Sequence, residues 1–232
     1  LDVNEWNLFK IKNKKKIFLN SLIEPTAVSF NVFEKIKKKV ENNSKILILG
    51  AGYIGQIVLR VINNFNKKTK IFILDRNKFK LTLTKNFSTS QILHSKNHSN
   101  INDIKKFNSK FDIVIETTGK DINFLNSIDY VKKGGHVIYA GNIDQGFKIS
   151  KNQISNVLRK EVTIKGIWNS SYKSKNDNWT QAEKFISKGR ELERLITHKV
   201  DLTDAAQLME NIFRMKNGRL KNNYLKGIIK SY

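Results

Sequence analysis

Short apolar runs alternate with amphipathic segments along most of the chain. The runs that predict buried strands are rich in isoleucine, leucine and valine and lie at 46–49, 71–74, 91–93, 111–115, 136–140 and 162–164. Apolar residues recur with helical spacing in the other segments, at 27–39, 52–64, 77–86, 101–107, 122–132 and 152–159. This alternation predicts an α/β fold with a doubly wound parallel sheet.

Both ends of the chain depart from this alternation. Beyond the sixth strand the pattern predicts two helices, at about 180–188 and 205–216, and a final strand at 225–229. The N-terminal residues, with the apolar stretch 7–11, are expected to form a strand end and an entry segment. Neither flank is expected to fold as a domain alone.

The segment 44–75 carries the most specific motif. Its first strand runs into GAGYIG, a helix follows, and its second strand ends at Asp75. In such a βαβ unit Gly50 permits the tight turn, Gly52 lets a pyrophosphate approach the backbone, and Gly55 lets helix and strand pack closely. The helix N-terminus offers N–H groups and a positive dipole to phosphates. The unit predicts dinucleotide binding on a Rossmann sheet of two halves.

Asp75 and Arg76 bear on the choice of nucleotide. Asp75 lies twenty residues after Gly55, where a carboxylate accepts hydrogen bonds from the adenosine ribose hydroxyls. The same charge repels a 2′-phosphate, so NAD is expected rather than NADP, although Arg76 beside it is able to neutralise a phosphate. A different Rossmann-type protein, such as a methyltransferase, uses such an acid for its own ribose and stays open as an alternative.

The chain is strongly basic, with a formal net charge of +23 over 232 residues. Such a charge is typical of proteins that bind nucleic acid or anionic surfaces. The lysines, however, are spread along the whole chain with asparagine and isoleucine, and no basic motif is interleaved with aromatic residues. The basic residues are therefore interpreted as a solvated surface rather than as a nucleic-acid-binding surface. Their positive field is expected to attract an anionic substrate such as a sugar phosphate.

Groups that commonly carry out chemistry are few. There are no cysteines, which excludes disulfides and thiolate zinc sites within these residues, and the four histidines are scattered. His94 and His98 are four residues apart, but their loop-like context does not favour a helical pair of metal ligands. No stretch has the length and apolarity of a membrane span, and the N-terminus lacks a signal-peptide core, so a cytoplasmic location without a membrane partner is expected.

Six short motifs occur in the order found in one enzyme family. They are LIEP at 22–25, GAGYIG at 50–55, VIETTG at 114–119, KGGHV at 133–137, KGIW at 165–168 and LITH at 195–198. Together they resemble the zinc-dependent medium-chain dehydrogenases over nearly the full chain. Through GIWNSSY at 166–172 and DNW at 177–179, the chain is similar to the polyol branch, which includes sorbitol and galactitol-1-phosphate dehydrogenases.

The resemblance implies oxidation of a secondary alcohol. In that family zinc lowers the pKa of the bound hydroxyl, and the nicotinamide of NAD takes the hydride. The zinc is held by cysteine, histidine and glutamate of a GroES-like domain that is largely missing here, and Glu24 alone remains of its ligand and water network. The isolated chain is expected to bind NAD and to catalyse little or nothing, its substrate being a polyol or polyol phosphate.

The resemblance also implies a domain organisation. Residues 1–24 are expected to end the GroES-like catalytic domain, 25–165 to form the Rossmann NAD-binding domain, and 166–232 to return to the catalytic domain. A homo-oligomer, either a dimer or a tetramer, is expected to form through the sixth strand, which then extends the sheet across subunits.

Site residues follow from the resemblance by position. Besides the three glycines, those expected at the cofactor are Tyr53, Ile54, Asp75, Arg76, Lys80, Thr117, Ala140, Gly141, Asn142, Ile167 and Trp168. Asn169 and Ser170 occupy positions where the polyol branch commonly has an arginine and a tyrosine that touch substrate. A sugar alcohol other than sorbitol, or its phosphate, is therefore expected.

Two other classes of function stay open at this point. The chain is also consistent with a non-catalytic NAD-binding module, in which the fold serves as a scaffold. A basic nucleic-acid-binding protein built on a Rossmann core is the other alternative, which the net charge favours and the spread of the lysines does not.

Overall fold

The computed structural model describes residues 2–12, 17–84, 90–94, 107–143, 146–172 and 176–230. Its main sheet contains β1 (Lys45–Leu49), β2 (Lys70–Asp75), β3 (Ser90–His94), β4 (Phe111–Glu116), β5 (Val131–Tyr139) and β6 (Thr163–Gly166). All five pairings are parallel, in the order β3-β2-β1-β4-β5-β6. The order reverses at β1 and β4, as in a doubly wound sheet of two halves. The predicted α/β fold is thus confirmed.

Helices connect strands of this sheet and also lie before β1 and after β6. They are α1 (Ile17–Asn20), α2 (Ile23–Ile36), α3 (Tyr53–Phe65), α4 (Lys78–Thr82), α5 (Asp121–Tyr130), α6 (Lys151–Lys160), α7 (Asn178–Lys188) and α8 (Ala205–Lys216). Short 3-10 helices occupy Glu5–Asn7, Lys37–Lys39, Arg190–Leu195 and Leu202–Asp204. The helix expected at 101–107 lies, except for Phe107, outside the described residues. Within the described ranges no helix has the length and apolarity needed to cross a membrane.

The core lies on both faces of the sheet. Ile46 and Ile48 of β1 belong to a cluster with residues of α2 and α3, while Leu47 and Leu49 belong to a cluster on the opposite face. All four side chains are almost completely buried. Because both faces of a parallel sheet are covered by helices, a continuous apolar run, rather than an alternating one, forms its central strand.

Several element boundaries differ from those predicted. The helix expected to reach residue 132 ends at Tyr130, because Val131 is extended, buried and paired with Phe111. Strand β5 therefore begins five residues before the predicted start at His136, with an irregular register across from Phe111 and Ile113. Helix α2 begins at Ile23, four residues before its predicted start, and so continues across residues 24 and 25.

The N-terminal segment does not form the expected strand end. Residues 2–12 contain a 3-10 turn at Glu5–Asn7 and no strand. Phe9 packs instead on the aromatic rings of Tyr172 and Trp179, at centroid distances of 5.6 and 5.4 Å. The apolar character of this stretch thus serves packing against Tyr172 and the first turn of α7.

A second, two-stranded sheet lies in the C-terminal part. It pairs β7 (His198–Asp201) in parallel with β8 (Gly227–Lys230), and α8 connects them. The sequence pattern predicted the last strand but not β7, whose four residues HKVD include only one apolar residue. The extended conformation of β7 therefore depends on pairing with β8 rather than on the local sequence pattern.

Asp112 ties three strands together at the amino end of the main sheet. Its carboxylate accepts a hydrogen bond from the Lys45 N–H at 2.7 Å and pairs with the ammonium of Lys132. Burial alone raises the pKa of Asp112, but the hydrogen bonds from Lys132 and Lys45 outweigh it and hold the pKa below its ordinary value.

Replacing Asp112 with asparagine is expected to lower the free energy of unfolding at pH 7 by about 1 kcal/mol. A depressed pKa stabilises the fold above the unfolded-state value of about 3.9 and ceases to do so as the pH falls through the folded-state pKa. The difference between wild type and variant is therefore expected to shrink at low pH. Urea unfolding at pH 7 and in acid measures it, and an equal difference at both would contradict this role.

Candidate functional site

A cleft opens at the carboxyl edge of the main sheet, where the strand order reverses. Its volume is about 990 Å³, within the range of small-molecule sites. Its walls come from the ends of β1, β2 and β4 and from the segment that ends α8. Of the residues expected at a cofactor, it brings together Gly50, Gly52, Asp75, Arg76, Lys80 and Thr117.

The three glycines after β1 differ in the space available to a side chain: Gly52 has room for one, whereas Gly50 and Gly55 do not. Gly50 has φ +105°, and a Cβ there would lie 2.7 Å from Thr117 Oγ1. A Cβ on Gly55 would lie 2.0 Å from the Gly50 carbonyl oxygen, so this glycine lets α3 pack against the turn. Gly52 has open space around its Cβ position. That space adjoins the N-terminus of α3, where phosphates are favoured.

Asp75 is fixed at the end of β2 by the backbone of two loops. One carboxylate oxygen accepts a hydrogen bond from the Ala51 N–H at 2.7 Å, and the other accepts one from the Asn77 N–H at 2.7 Å. An ionised carboxylate has about four acceptor positions, so each oxygen is able to accept a further hydrogen bond. The half-buried Asp75 therefore presents a pre-oriented acceptor pair to the cleft.

Cationic side chains surround this carboxylate. Arg76 and Lys80 lie on the same wall of the cleft, and Lys216 comes from the last turn of α8. Burial lowers the pKa of the Lys80 ammonium, Asp75 opposes that shift, and the charges of Lys216 and Arg76 add to it. Asp75 is thus an anionic acceptor within a positive local field.

Buried side chains of α3 hold α4 in place below the cleft. The Gln56 Nε2 atom donates to the Lys80 carbonyl at 2.8 Å, and Arg60 Nη2 donates to the Leu83 carbonyl at 3.1 Å. Arg60 Nη1 also donates to the Gln56 side-chain oxygen at 2.6 Å. Burial lowers the pKa of Arg60 to about 10, which leaves it charged at neutral pH.

The C-terminal segment closes one side of the cleft, which the sequence pattern did not predict. Asn77 caps α4 through its side-chain oxygen, and its Nδ2 atom donates to the Asn222 carbonyl at 2.9 Å. Lys216, Gly218 and Asn222 line the cleft although they lie about 140 residues after Asp75. No local motif marks them, because their role depends on a long-range contact.

Several predicted site residues lie elsewhere. Tyr53 is buried, with its hydroxyl 2.9 Å from Thr26 Oγ1 of α2, and burial raises its pKa to about 12. Ile54 packs partly buried against the main core, so neither side chain lines the cleft. Both thus connect α3 to the fold.

The loops after β5 and β6 also lie outside the cleft volume. Ala140, Gly141, Asn142, Ile167, Trp168, Asn169 and Ser170 are all at this carboxyl edge of the sheet but do not line it. Trp168 is 81% exposed, whereas Ser170 Oγ accepts a hydrogen bond from Trp179 Nε1 at 3.0 Å. The Asn169 carbonyl accepts a hydrogen bond from Asn31 Nδ2 at 2.8 Å.

A zinc ion does not fit the residues that the structure describes. Glu24 is exposed in the first turn of α2. Within the described ranges there is no group of three or more histidine, cysteine, aspartate or glutamate side chains that could hold a metal ion. His98 of the histidine pair considered from the sequence lies outside those ranges.

Comparison with known proteins identifies the family of the chain. Residues 18–222 match the family model described as glucose dehydrogenase C-terminus. The galactitol 1-phosphate 5-dehydrogenase of Escherichia coli K12 is 25% identical over 219 residues, which are 91% of this chain and 62% of that protein. The chain therefore spans less than two thirds of this relative's length.

Two solved structures share the fold. The crystal structure of galactitol-1-phosphate dehydrogenase from Escherichia coli superposes with a TM-score of 0.76 at 23% identity, covering 91% of this chain and 62% of that one. The Haloferax mediterranei glucose dehydrogenase, in complex with NADP, Zn and gluconolactone, gives 0.77 at 18% identity, covering 99% and 63%. Since the family model matches most of the chain, the protein belongs to the glucose dehydrogenase C-terminus family.

Proposed function

We propose that this chain is the NAD-binding part of a zinc-type dehydrogenase that oxidises a polyol or polyol phosphate. The observation that carries the proposal is the Asp75 carboxylate, held by the N–H groups of Ala51 and Asn77 beside the open space at Gly52. An acceptor pair for a ribose and an uncovered helix N-terminus for a pyrophosphate are the two features a dinucleotide needs. The residues present therefore fit NAD.

The chain's own residues bind and orient the cofactor. The end of β2 takes the adenosine ribose, the turn before α3 takes the pyrophosphate, and the β4 side of the cleft, with Thr117, takes the nicotinamide half. When bound, the nicotinamide supplies the hydride acceptor. Because the described residues do not fit zinc, we propose that the chain by itself binds NAD and oxidises alcohol little or not at all.

The substrate class rests on two supports. The relative whose name is galactitol 1-phosphate 5-dehydrogenase acts on a polyol phosphate, and it matches 91% of this chain. The formal net charge of +23 favours an anionic substrate through long-range attraction. A non-catalytic NAD-binding module is the second candidate, favoured by the absence of a metal-ligand cluster among the described residues.

The test is a titration of the purified chain with NADH, in which energy transfer from tryptophan to the nicotinamide reports binding. Saturable binding that is tighter for NADH than for NADPH supports the proposal. A folded chain that binds neither nucleotide overturns it. The chain alone is expected to turn over galactitol 1-phosphate little or not at all with NAD and added zinc, because the described residues do not fit the metal. Substantial NAD reduction in that assay would contradict this part of the proposal.

The open edge of β6 is the proposed subunit contact. Among the strands that the structure describes, β6 pairs with β5 alone, and all four residues of β6 are exposed. Exposed apolar side chains on α6 and β6 add an uncovered surface, namely Ile154 at 49%, Leu158 at 72% and Ile164 at 40%. Pairing of this edge with its copy about a twofold axis covers both the backbone groups and the side chains.

The wild type is accordingly expected to sediment at twice the monomer mass, and the double variant Leu158→Glu, Ile164→Lys as a monomer, because charges replace the apolar contact. Analytical ultracentrifugation over a range of concentrations measures this. Phe213→Glu is the matched control, since Phe213 is 56% exposed on α8, away from this edge. A wild-type monomer, or a dimer that persists in the double variant, rules this edge out.

A further inference from the structure

Glu116 is a buried carboxylate that no step of the proposed reaction uses. It ends β4, beside the cleft, and its exposed fraction is 0%. Burial raises the pKa of Glu116, and the hydrogen bonds that it accepts oppose this shift. Burial of an acidic group away from any cation is costly, so what this side chain holds requires an explanation.

The carboxylate of Glu116 organises the loop after β4. One oxygen accepts hydrogen bonds from the Thr118 N–H, at 2.7 Å, and from the Thr118 hydroxyl. The other accepts a hydrogen bond from the Gly119 N–H at 3.2 Å. Thr118 in turn accepts a hydrogen bond from Asn123 Nδ2 at 2.8 Å, and both of these residues line the cleft. The side chain thus determines the shape of the β4 wall.

The backbone of the same residue organises the loop after β5. The Glu116 carbonyl accepts hydrogen bonds from the Ala140 N–H at 2.9 Å and the Gly141 N–H at 3.1 Å. A single residue therefore joins the 117–119 loop through its side chain to the 140–142 loop through its main chain.

These two loops also touch backbone to backbone. A Cβ on Gly119 would lie 2.0 Å from the Asn142 carbonyl oxygen. A Cβ on Gly141 would lie 2.2 Å from the Gly119 nitrogen and 2.6 Å from Glu116 Oε2. With no space between them, a shift of one loop must move the other.

In a doubly wound sheet the second half, here β4 to β6, takes the second nucleotide of the cofactor, while Asp75 marks the first half. We propose that Glu116 is a positioning residue for the nicotinamide half, acting through the paired loops 117–119 and 140–142. This inference rests on the proposed NAD binding. It separates the two halves of the site: Asp75 determines the adenosine affinity and Glu116 the additional affinity contributed by the nicotinamide half.

The experiment compares NADH with ADP, which carries only the adenosine half, by calorimetric titration of the full chain. Glu116→Gln replaces a carboxylate oxygen with an amide that donates toward N–H groups. We expect the dissociation constant of NADH to rise about tenfold and that of ADP to change less than about twofold. The variant weakens hydrogen bonds to a charged acceptor on the nicotinamide side of the cleft, which ADP does not reach. Asp112→Asn, at the other end of β4, is the matched control and is expected to leave both affinities unchanged.

Glu116→Asp keeps the charge and is expected to bind NADH more tightly than Glu116→Gln. Gly119→Ala forces the loops apart from the Asn142 side, because its Cβ would lie 2.0 Å from the Asn142 carbonyl oxygen and its three nearest atoms all belong to Asn142. It is therefore expected to reproduce the selective loss if Glu116→Gln does not fold. Equal weakening of NADH and ADP, or no weakening of either, overturns the positioning role. Failure of the wild type to bind either nucleotide overturns instead the proposed function.

Discussion

Replacing Asp75 with alanine is expected to weaken NADH binding at least tenfold and to remove most of the preference for NADH over NADPH. Two hydrogen bonds from the ribose to a charged acceptor are lost, and hydrogen bonds to charged groups are typically worth about 1.5–3 kcal/mol each. The N–H groups of Ala51 and Asn77 lose their acceptor as well, so the turn before α3 becomes less ordered.

The effect on NADPH is expected to have the opposite sign. Without the carboxylate, the charges of Arg76, Lys80 and Lys216 face a 2′-phosphate with no nearby anion to repel it. Titration of NADH and NADPH into both proteins measures the change in the ratio of dissociation constants. Asp201→Ala removes an exposed carboxylate of β7 outside the cleft and serves as the control. An unchanged NADH affinity in Asp75→Ala would contradict the assignment of the adenosine site.

Two alanine substitutions in the same turn are expected to separate folding from cofactor binding. Gly52 has φ −67°, a value any residue adopts, and open space at its Cβ position, so Gly52→Ala is expected to fold with little loss of stability. Its methyl group, however, occupies the space proposed for the pyrophosphate. NADH binding is therefore expected to weaken at least tenfold, which is about 1.4 kcal/mol.

Gly55→Ala is expected to act on the fold itself. Its methyl group would lie 2.0 Å from a backbone oxygen of Gly50, so α3 must move away from the turn. Overpacking of a tight interior contact typically costs about 1–3 kcal/mol. Thermal unfolding and NADH titration of both variants test the contrast. If Gly52→Ala unfolds at a much lower temperature than the wild type, or binds NADH with wild-type affinity, the proposed path of the pyrophosphate is wrong.

The central sheet is visible in the sequence because local and global preferences agree there. Strand β1 reads as a continuous apolar run, since both faces of a parallel sheet are covered, and the GAGYIG turn has a spacing that few other structures require. Gly55 and Asp75 follow from the same spacing. Within such a unit the backbone geometry itself demands the residue types, so the pattern is sufficient to predict it.

Tertiary contacts decide what no local pattern contains. Lys216 and Asn222 reach the cleft through the folding of the C-terminal segment, and Val131 becomes a strand residue because Phe111 is its partner. Tyr53 lies within the motif, yet its hydroxyl bonds to Thr26.

Glu116 is the clearest case, because its position in the sequence indicates only the end of a strand. The packing of two loops that are more than twenty residues apart turns it into their common anchor. The sequence by itself thus determined the sheet and the nucleotide motif, where spacing along the chain specifies the geometry. Only the tertiary structure decided the remaining walls of the site, because these depend on which distant segments meet.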